Sequence, residues 1–352
     1  MSTPRPTLRR ALTVAAIVLW VNFCAPGCAM AAKPKGWKGT VLEVLSKVTL
    51  AAEHGALFYA FDTLACPGQT VELTARLLSV EEREPLDGAQ IEFLQDGRSI
   101  GKATTDEDGY AKVSWKVPKA GDYRFTAKIV KVPRAKYNPM LQCPPASLLV
   151  AARKRKTRFI VIDLDHTVVA SSFLRVLFGG AKPMPYAAET IKELARKYSI
   201  IYLTHRPDLL MRKSKTWLED HDFPRAPLLV SKLSQAIGDS GEFKTTRIKA
   251  LRKRFPFIAI GIGDKLSDAQ AYVTNGLRAY LIPYYDRDDP KELEKMAKQI
   301  LRLDDRVQVV DGWKDVRAGI LRGKRFPPQA YARRLRQRAK QLRQQRRDED
   351  DD

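Results

Sequence analysis

Two aspartates follow a predicted buried strand near the middle of the chain. In the stretch RFIVIDLDHTVVASS, residues 158–172, an apolar run leads into Asp163 and Asp165, and Thr167 follows. A continuous apolar run is typical of a strand buried on both faces, and side chains two apart on an extended chain point to one side. Two like charges at this spacing repel unless a cation offsets them, and Mg²⁺ takes carboxylate and carbonyl oxygens. The alternative is a helix cap formed by one aspartate.

More polar residues follow other predicted strands of the same region. SIIYLT ends in Thr204, with Arg206 two residues later, and FIAIGIGD ends in Asp264, with Asp268 one helical turn further on. Lys244 lies near the start of the helix that precedes the second of these strands. Each has an ordinary alternative as a cap, a solvated basic residue or a surface acid. Three strands that all end in such groups together indicate a site.

Five predicted strands alternate with amphipathic helices after Arg153, and we place this domain at residues 154–321. Repeated strand–helix units predict an α/β fold, a mostly parallel sheet with helices on both faces. Ligands of such sheets bind beyond the carboxyl ends of the strands. The predicted sheet therefore brings the polar residues to one edge.

The motifs resemble those of a known superfamily. DLDHT, YLT, a lysine and GDKLSD, in that order, resemble the four motifs of haloacid-dehalogenase (HAD) phosphatases. YSIIYLTHRPDLLMRKSKTWLEDHDFPRAPLLVS is similar to the catalytic domain of lipins and the related domain of Nir-type phosphatidylinositol-transfer proteins, within a match over roughly residues 157–285. The resemblance implies a HAD-like Rossmannoid sheet. Lipins dephosphorylate phosphatidate with Mg²⁺, whereas Nir-type relatives have lost catalytic aspartates and only bind lipid phosphate. This chain differs from lipins at His166, where they have glycine.

The resemblance also implies roles for individual residues. Asp163 would attack phosphorus and form an aspartyl-phosphate, and Asp165 would act as general acid and then base. Thr204 and Lys244 would hold the phosphoryl oxygens, with Arg206 as a further phosphate contact.

The implied cofactor is Mg²⁺. It would lie between Asp163, the backbone carbonyl of Asp165, and Asp264, with Asp268 supporting the metal or orienting Lys244. Only about twenty residues separate Thr167 from the next helix, too few for a folded cap domain. An uncapped site suits a large substrate such as a lipid headgroup, and apolar residues 173–180 are predicted to form a small flap or to touch lipid.

Residues 56–150 are predicted to form an all-β, immunoglobulin-like sandwich. Alternating strands are separated by turn signals at Asp96-Gly97 and at Gly109. No catalytic constellation is visible in this segment, so a spacer or binding role is expected. Cys66 and Cys143 flank its strands, and an exported protein is expected to pair them as a disulfide.

Residues 1–31 are predicted to be a signal peptide. Arginines precede the apolar run ALTVAAIVLWVNF, which is short for a membrane span. Small residues then allow cleavage after Ala31 or lipidation of Cys28. An uncleaved anchor is the alternative. Either reading predicts export, with a periplasmic or cell-envelope location, as a lipoprotein if Cys28 is modified.

The remaining residues, 322–352, form a basic tail, and the chain carries 62 Lys and Arg against 40 Asp and Glu, a net charge of +22. This excess favours anionic partners. Tyr331, Leu335, Ala339 and Leu342 are spaced for one helical face, which predicts a helix on an anionic membrane or a solvated, partly disordered tail. No aromatic residues interleave the arginines, which disfavours nucleic-acid binding.

Three functions therefore compete. The first is an exported Mg²⁺-dependent phosphatase that acts on a phospholipid such as phosphatidate. The second has the same chemistry with a soluble or nucleic-acid phosphate as substrate. The third is a non-catalytic phospholipid-binding protein, which the filled catalytic positions disfavour.

Overall fold

The computed structural model of this chain describes residues 53–82, 84–171, 180–232 and 238–350. The predicted signal peptide, Cys28 and Ala31 lie outside these residues, and so does the predicted flap apart from Gly180. Among the described residues, no helix combines the length and the hydropathy that crossing a membrane requires.

The first part of the described chain contains nine strands in two sheets. They are β1 (Ala56–Ala60), β2 (Thr63–Ala65), β3 (Thr70–Ser79), β4 (Glu84–Pro85), β5 (Gln90–Gln95), β6 (Arg98–Thr104), β7 (Tyr110–Lys116), β8 (Gly121–Lys131) and β9 (Ala146–Ala152). In one sheet β3 pairs antiparallel with β1, β4 and β7, and the other has the order β2-β9-β8-β5-β6. Alternate residues of both sheets, such as Leu73, Ile91 and Ala127, share one apolar core. We call residues 53–152 the β module; its immunoglobulin-like character stays a prediction.

The proline-rich segment after β8 is part of the β module. Residues Ala135–Gln142 form a 3-10 helix, and Tyr137 and Met140 are buried in the core between the two sheets. The apolar side chains of this segment decide its position, because burying them removes their surface from water.

The predicted disulfide does not form in this structure. Cys143 is buried in the core of the β module, whereas Cys66 is half-buried and packs against a core of the following domain. The two thiols therefore face different cores, and no Cys66–Cys143 bond joins them.

The second part of the chain contains a six-stranded parallel sheet with the order β12-β11-β10-β13-β14-β15. Its strands are β10 (Phe159–Ile162), β11 (Ser199–Pro207), β12 (Leu228–Ser231), β13 (Ile258–Gly263), β14 (Arg278–Leu281) and β15 (Val307–Val309). The first five correspond to the predicted strands. The sixth was missed because three residues are too few to show a period.

Helices cover both faces of this sheet, as the alternating pattern predicts. They are α1 (Ala187–Ala195), α2 (Met211–Asp220), α3 (Ser240–Arg254), α4 (Leu266–Thr274), α5 (Pro290–Ile300), α6 (Trp313–Arg322) and α7 (Pro328–Asp350). Helices α1, α2 and α6 pack on one face with Ile160 and Ile162 of β10. Helices α3, α4, α5 and α7 pack on the other with Phe159 and Val161. The α/β fold is thus confirmed, and each of the strands β10 to β14 supplies side chains to two cores.

The basic tail forms helix α7, and its apolar stripe faces the protein core. Tyr331, Leu335, Ala339 and Leu342 are buried with residues of α5 and β15. The Tyr331 hydroxyl lies 3.0 Å from that of Tyr285. A solvated, partly disordered tail does not match this arrangement, whereas contact of the helix with an anionic membrane stays a prediction. A helix bound through its apolar face to a membrane would leave this core open, and a solvated tail would expose the same side chains.

The β module packs directly on the α/β domain. Tyr59 of β1 belongs to the core on the α1 face of the parallel sheet, and Leu64, Leu149 and Ala151 belong to the core on the opposite face. The two parts of the chain therefore share buried surface and are not separated by an exposed linker.

Candidate active site

Three adjacent parallel strands bring the predicted catalytic residues to one edge of the sheet. Asp163 follows β10, and its N–H donates a hydrogen bond to the Ile262 carbonyl of β13 at 2.9 Å. Thr204 lies in β11 and Asp264 follows β13. The side chains of Asp163, Thr204 and Asp264 are all buried. Their convergence follows from the topology, because β10 lies between β11 and β13 and parallel strands end on the same side.

The structure places three carboxylates where they can share a cation. One ligand oxygen from each of Asp163, Asp264 and Asp268 lies within 4.8 Å of the others. Asp264 Oδ1 is buried and has no hydrogen-bond partner among the described residues. A buried carboxylate oxygen without a donor is costly, whereas a hard cation takes such oxygens as ligands. These donors fit a hard divalent cation such as Mg²⁺.

Gly263 allows Asp268 to approach this cluster. A Cβ atom at position 263 would lie 2.6 Å from Asp268 Oδ2 and 2.8 Å from its Cβ. Any larger residue would therefore push the first turn of α4 away from the strand end. The glycine just before Asp264 thus has a steric role in the site.

Lys244 enters the site from α3 and compensates part of the negative charge. Its Nζ lies 2.8 Å from Asp163 Oδ1 and 2.6 Å from Asp268 Oδ1, and its side chain is only 2% exposed. Burial alone would lower the pKa of Lys244, but the carboxylates of Asp163 and Asp268 raise it well above its ordinary value. Lys244 therefore stays charged and fixes both carboxylates. Asp268 was predicted to support the metal or to orient Lys244, and its position beside the carboxylate cluster and Lys244 is compatible with both roles.

The electrostatics of the cluster favour a cation over ionised carboxylates alone. Burial raises the pKa of Asp163 to about 6, with Lys244 acting in the opposite direction and Asp268 and Asp165 adding to the rise. Burial and the neighbouring Asp268 and Asp163 also raise the pKa of Asp264 well above its ordinary value. The protein thus holds these carboxylates at a free-energy cost, which a divalent cation offsets.

Mg²⁺ is expected to bind more tightly as the pH rises through about 6. The cation must displace the proton that burial favours on Asp163, so apparent affinity should fall about tenfold per pH unit below 6 from this group alone. Without Mg²⁺ the sign is opposite. A carboxyl with its folded pKa raised from 3.8 stabilises the fold when protonated, and that contribution is lost as the pH rises from about 4 to 6. The Mg²⁺-induced rise in melting temperature, measured from pH 5 to 8, tests this; a rise that does not change with pH would contradict it.

Asp165 is held by Arg206 and not by the carboxylate cluster. Arg206 Nε and Nη2 lie 3.0 and 2.8 Å from the two Asp165 oxygens, a bidentate pair. The third contact, from Arg206 Nη1 to Ser214 Oγ at 2.8 Å, ties the guanidinium to α2. The Arg206 side chain is 1% exposed, and its contacts fix the orientation of the Asp165 carboxylate; its role as a phosphate contact stays a prediction. Ser214 has no distinguishing signal in the sequence.

Thr204 and Thr167 complete the walls of the site. Thr204 is buried, and its hydroxyl accepts a hydrogen bond from the Arg206 N–H at 3.3 Å. The Thr167 hydroxyl donates to Asp163 Oδ2 at 3.5 Å. Trp313 of α6 fixes this loop, because its indole N–H donates to the Thr167 carbonyl at 2.7 Å. The contribution of Trp313 was not visible in the sequence.

His166 shows why a glycine suits its position. It adopts a left-handed conformation with φ +54°, which glycine tolerates best. Its ring stacks on Tyr284 with centroids 3.9 Å apart, and its Nδ1 is buried without a hydrogen-bond partner in the described part of the chain. The exposed Tyr284 thus contacts the residue next to Asp165, a neighbour that sequence reasoning did not find.

Comparisons with known proteins agree with the α/β domain. Residues 160–282 match the family model described as PITM 1-3, LNS2 domain. No curated protein matches the chain. This segment contains the DLDHT, YLT and GDKLSD motifs. Of the site residues described above, only Tyr284 and Trp313 lie outside it.

Three solved structures show distant similarity to this chain. A chain of the Pnkp1/Rnl/Hen1 RNA repair complex shares 13% identity at a TM-score of 0.34. The match covers 38% of this chain and 45% of that chain. The D00-D0 domain of intimin shares 19% identity at a TM-score of 0.21, and the match covers 28% of this chain and 46% of that chain. Tandem Ig repeats of Dlar share 10% identity at a TM-score of 0.21, and the match covers 37% of this chain and 64% of that chain. This chain thus spans less than two thirds of each. Residues 160–282 thus match an LNS2 domain, which has a HAD-like, phosphatase-type fold.

Proposed function

We propose that this chain is an Mg²⁺-dependent phosphatase that hydrolyses a phosphomonoester through an aspartyl-phosphate on Asp163. The observation that carries the proposal is the buried set of Asp163, Lys244, Asp264 and Asp268, with Asp165 held beside it. Asp163, Asp264 and the backbone carbonyl of Asp165 would hold the Mg²⁺. When bound, it supplies positive charge that offsets the charge on the transferred phosphoryl group.

The residues divide the reaction into two steps. In the first, an Asp163 oxygen bonds to phosphorus as the bond to the leaving oxygen breaks, and Asp165 gives that oxygen a proton. In the second, Asp165 takes a proton from water, the water oxygen bonds to phosphorus, and Asp163 leaves as a free carboxylate. Lys244 and Thr204 hold the phosphoryl oxygens through both steps. One of the two Arg206 contacts must be exchanged when Asp165 turns to the leaving group.

A phospholipid such as phosphatidate is the substrate we favour. The lipin-like stretch from Tyr198 to Ser231, the short connection after Thr167 and the net charge of +22 support it. Helix α7 adds an exposed basic surface: Arg333, Arg336 and Lys340 are exposed, and none forms an ion pair within the described ranges. Tyr285, which contacts Tyr331 of α7, is next to the Tyr284 that stacks on His166. The basic surface thus begins near the site edge of the sheet.

Export, a periplasmic or cell-envelope location and lipidation of Cys28 are further parts of the proposal. They rest on the apolar run from Ala11 to Phe23 and the small residues after it. An immunoglobulin-like identity of the β module is supported by its two sheets and shared core. Non-catalytic lipid binding is the less favoured reading, because Asp163, Asp165 and Asp264 are all present.

Neutralising the exposed face of α7 is expected to reduce turnover of phosphatidate in anionic vesicles but not of a soluble phosphate ester. The variant replaces Arg333, Arg336 and Lys340 by glutamine and leaves the buried stripe intact. Each basic residue near an anionic surface contributes about 1 kcal/mol of attraction, so vesicle affinity should fall by up to roughly 100-fold. Phosphate release from vesicles and from a soluble ester, at low and high salt, measures both arms.

The matched control replaces Lys154, Arg155 and Lys156 by glutamine. These residues are exposed at the opposite edge of the sheet, before β10, and carry the same charge. Equal losses from both triple variants would show a general charge effect and count against a basic membrane face. Turnover of a sugar phosphate or nucleotide with none of phosphatidate would move the substrate to the soluble class.

A further inference from the structure

Asp208 is a buried carboxylate where the β module meets the catalytic loop. It begins the 3-10 helix Asp208–Leu210 directly after β11 and is fully buried. The Tyr59 hydroxyl donates to Asp208 Oδ2 at 3.1 Å, and Arg76 Nη1 lies 3.2 Å from the same oxygen. A buried carboxylate needs such donors, since its desolvation is otherwise unfavourable. The β module supplies two of them.

The two donors are fixed by the sheet that carries them. Tyr59 in β1 and Tyr110 in β7 are the register partners of Arg76 in β3, so the three residues lie side by side on adjacent strands. The Arg76 guanidinium lies over the Tyr110 ring at 4.7 Å, and its Nε donates to the Asp108 carbonyl at 3.0 Å. Arg76 is therefore aimed at Asp208 by backbone and ring contacts and is not a flexible surface arginine.

Asp208 is joined to the chemistry by a short, stiff connection. Only Pro207, with its backbone fixed at φ −63°, separates it from Arg206. Arg206 holds both oxygens of Asp165, the proposed acid–base of the reaction. A shift of Asp208 must therefore move Arg206 and with it Asp165.

A second contact fastens the β module to the same region. Asp62 lies 2.7 Å from Lys215 Nζ and accepts hydrogen bonds from the Leu149 and Leu228 N–H groups at 2.8 and 2.9 Å. Lys215 is the neighbour of Ser214, which contacts Arg206. Both supports of Arg206, its own loop and helix α2, are thus attached to the β module.

We propose that the β module completes the phosphatase site, with Arg76 and Tyr59 as positioning residues that set the orientation of Asp165 through Asp208 and Arg206. This inference rests on the proposed function and extends it, because the catalytic domain then depends on a module that carries none of the catalytic motifs. It replaces the expected spacer role of the β module with an indirect part in acid catalysis, through Asp208 and Arg206.

The experiment compares Arg76→Met with Arg98→Met in the full chain. Arg98 is an exposed arginine of β6, so its variant controls for the loss of an arginine in the same module. The single-turnover rate of leaving-group release is measured with an alkyl phosphate, whose leaving oxygen needs a proton, and with p-nitrophenyl phosphate, which needs little acid assistance. Displacing a catalytic group by about 1 Å can cost roughly 100-fold.

Arg76→Met is expected to slow leaving-group release from the alkyl ester roughly 10- to 100-fold. The rate on the aryl ester should fall clearly less, and KM should change little. Tyr59→Phe should do the same to a lesser extent, and Arg76→Lys should recover part of the rate because it keeps the charge. Melting temperatures identify variants that fail to fold; for those, Tyr59→Phe and Arg76→Lys carry the comparison. If Arg76 had a purely structural role, its loss would lower the hydrolysis rates of both esters equally.

Two results would overturn different claims. Equal rates for Arg76→Met and Arg98→Met, or equal losses on the two esters, in an active enzyme would overturn the inference alone. Absence of hydrolysis of both esters and of phosphatidate by the unaltered protein in Mg²⁺ would overturn the proposed function and the inference with it.

Discussion

Replacing Asp163 with asparagine is expected to abolish phosphate release almost completely, by roughly 10⁴-fold or more, as for loss of a covalent nucleophile. Asparagine keeps the shape of the side chain, but its amide cannot bond to phosphorus as a carboxylate does. The fold should survive. Burial already raises the pKa of Asp163 to about 6, so at pH 7 the ionised group is held at a cost that the neutral amide removes.

Phosphate release in Mg²⁺ measures this effect, with Asp220→Asn, an exposed aspartate of α2, as the control. The control should retain activity within twofold, an estimate of about 0.4 kcal/mol for a surface change. Acid quenching with labelled substrate should trap phosphate on the unaltered protein and none on Asp163→Asn. Near-normal turnover by Asp163→Asn would exclude the aspartyl-phosphate mechanism.

Lys244→Met is expected to have the second largest effect, on both stability and activity. The change removes the cation that lies 2.8 and 2.6 Å from Asp163 and Asp268. Breaking a buried ion pair by removing one partner costs about 3 to 5 kcal/mol. The loss of stability should be greatest at high pH and smaller below about pH 6, because burial raises the pKa of Asp163 to about 6 and this carboxyl then takes up a proton. Activity should also fall, because Lys244 no longer holds the phosphoryl oxygens.

Urea denaturation with and without Mg²⁺ tests the stability claim. Mg²⁺ should stabilise Lys244→Met more than the unaltered protein, because the cation then offsets charge that Lys244 normally offsets. Lys249→Met, on the exposed side of the same helix, should change the free energy of unfolding by no more than about 0.5 kcal/mol. If Lys244→Met and Lys249→Met were equally stable, the buried ion pair would not support the fold as described.

The strand pattern was sufficient to locate most of the site. A buried strand that ends in Asp163 and Asp165, and its neighbours that end in Thr204 and Asp264, must meet at one edge of a parallel sheet, because crossover connections place all carboxyl ends together. The periodic stripe of the tail likewise indicated a helix. These predictions succeeded because each depends on local spacing, which backbone geometry converts directly into position.

Partners across the fold were not predictable in the same way. Arg206 had an equally plausible role at a phosphate, and nothing near it in the chain marks Ser214 or Asp165 as its contacts. The spacing of the apolar stripe of α7 is the same whether the stripe faces lipid, solvent or the α5 surface that it covers. The spacing alone therefore could not identify its partner. The disulfide prediction failed for the same reason, since flanking positions in sequence do not fix the distance between two thiols.

The sequence by itself determined which side chains are candidates for chemistry and at which strand ends they stand, because strand and helix periods are properties of the local backbone. Only the tertiary structure decided which charges pair. Arg76 and Asp208 are 132 residues apart, and their contact exists because two modules with separate strand patterns bury surface against each other. A buried charge takes its partner from whatever the fold brings within about 3 Å, since hydrogen bonding is effective only at such distances.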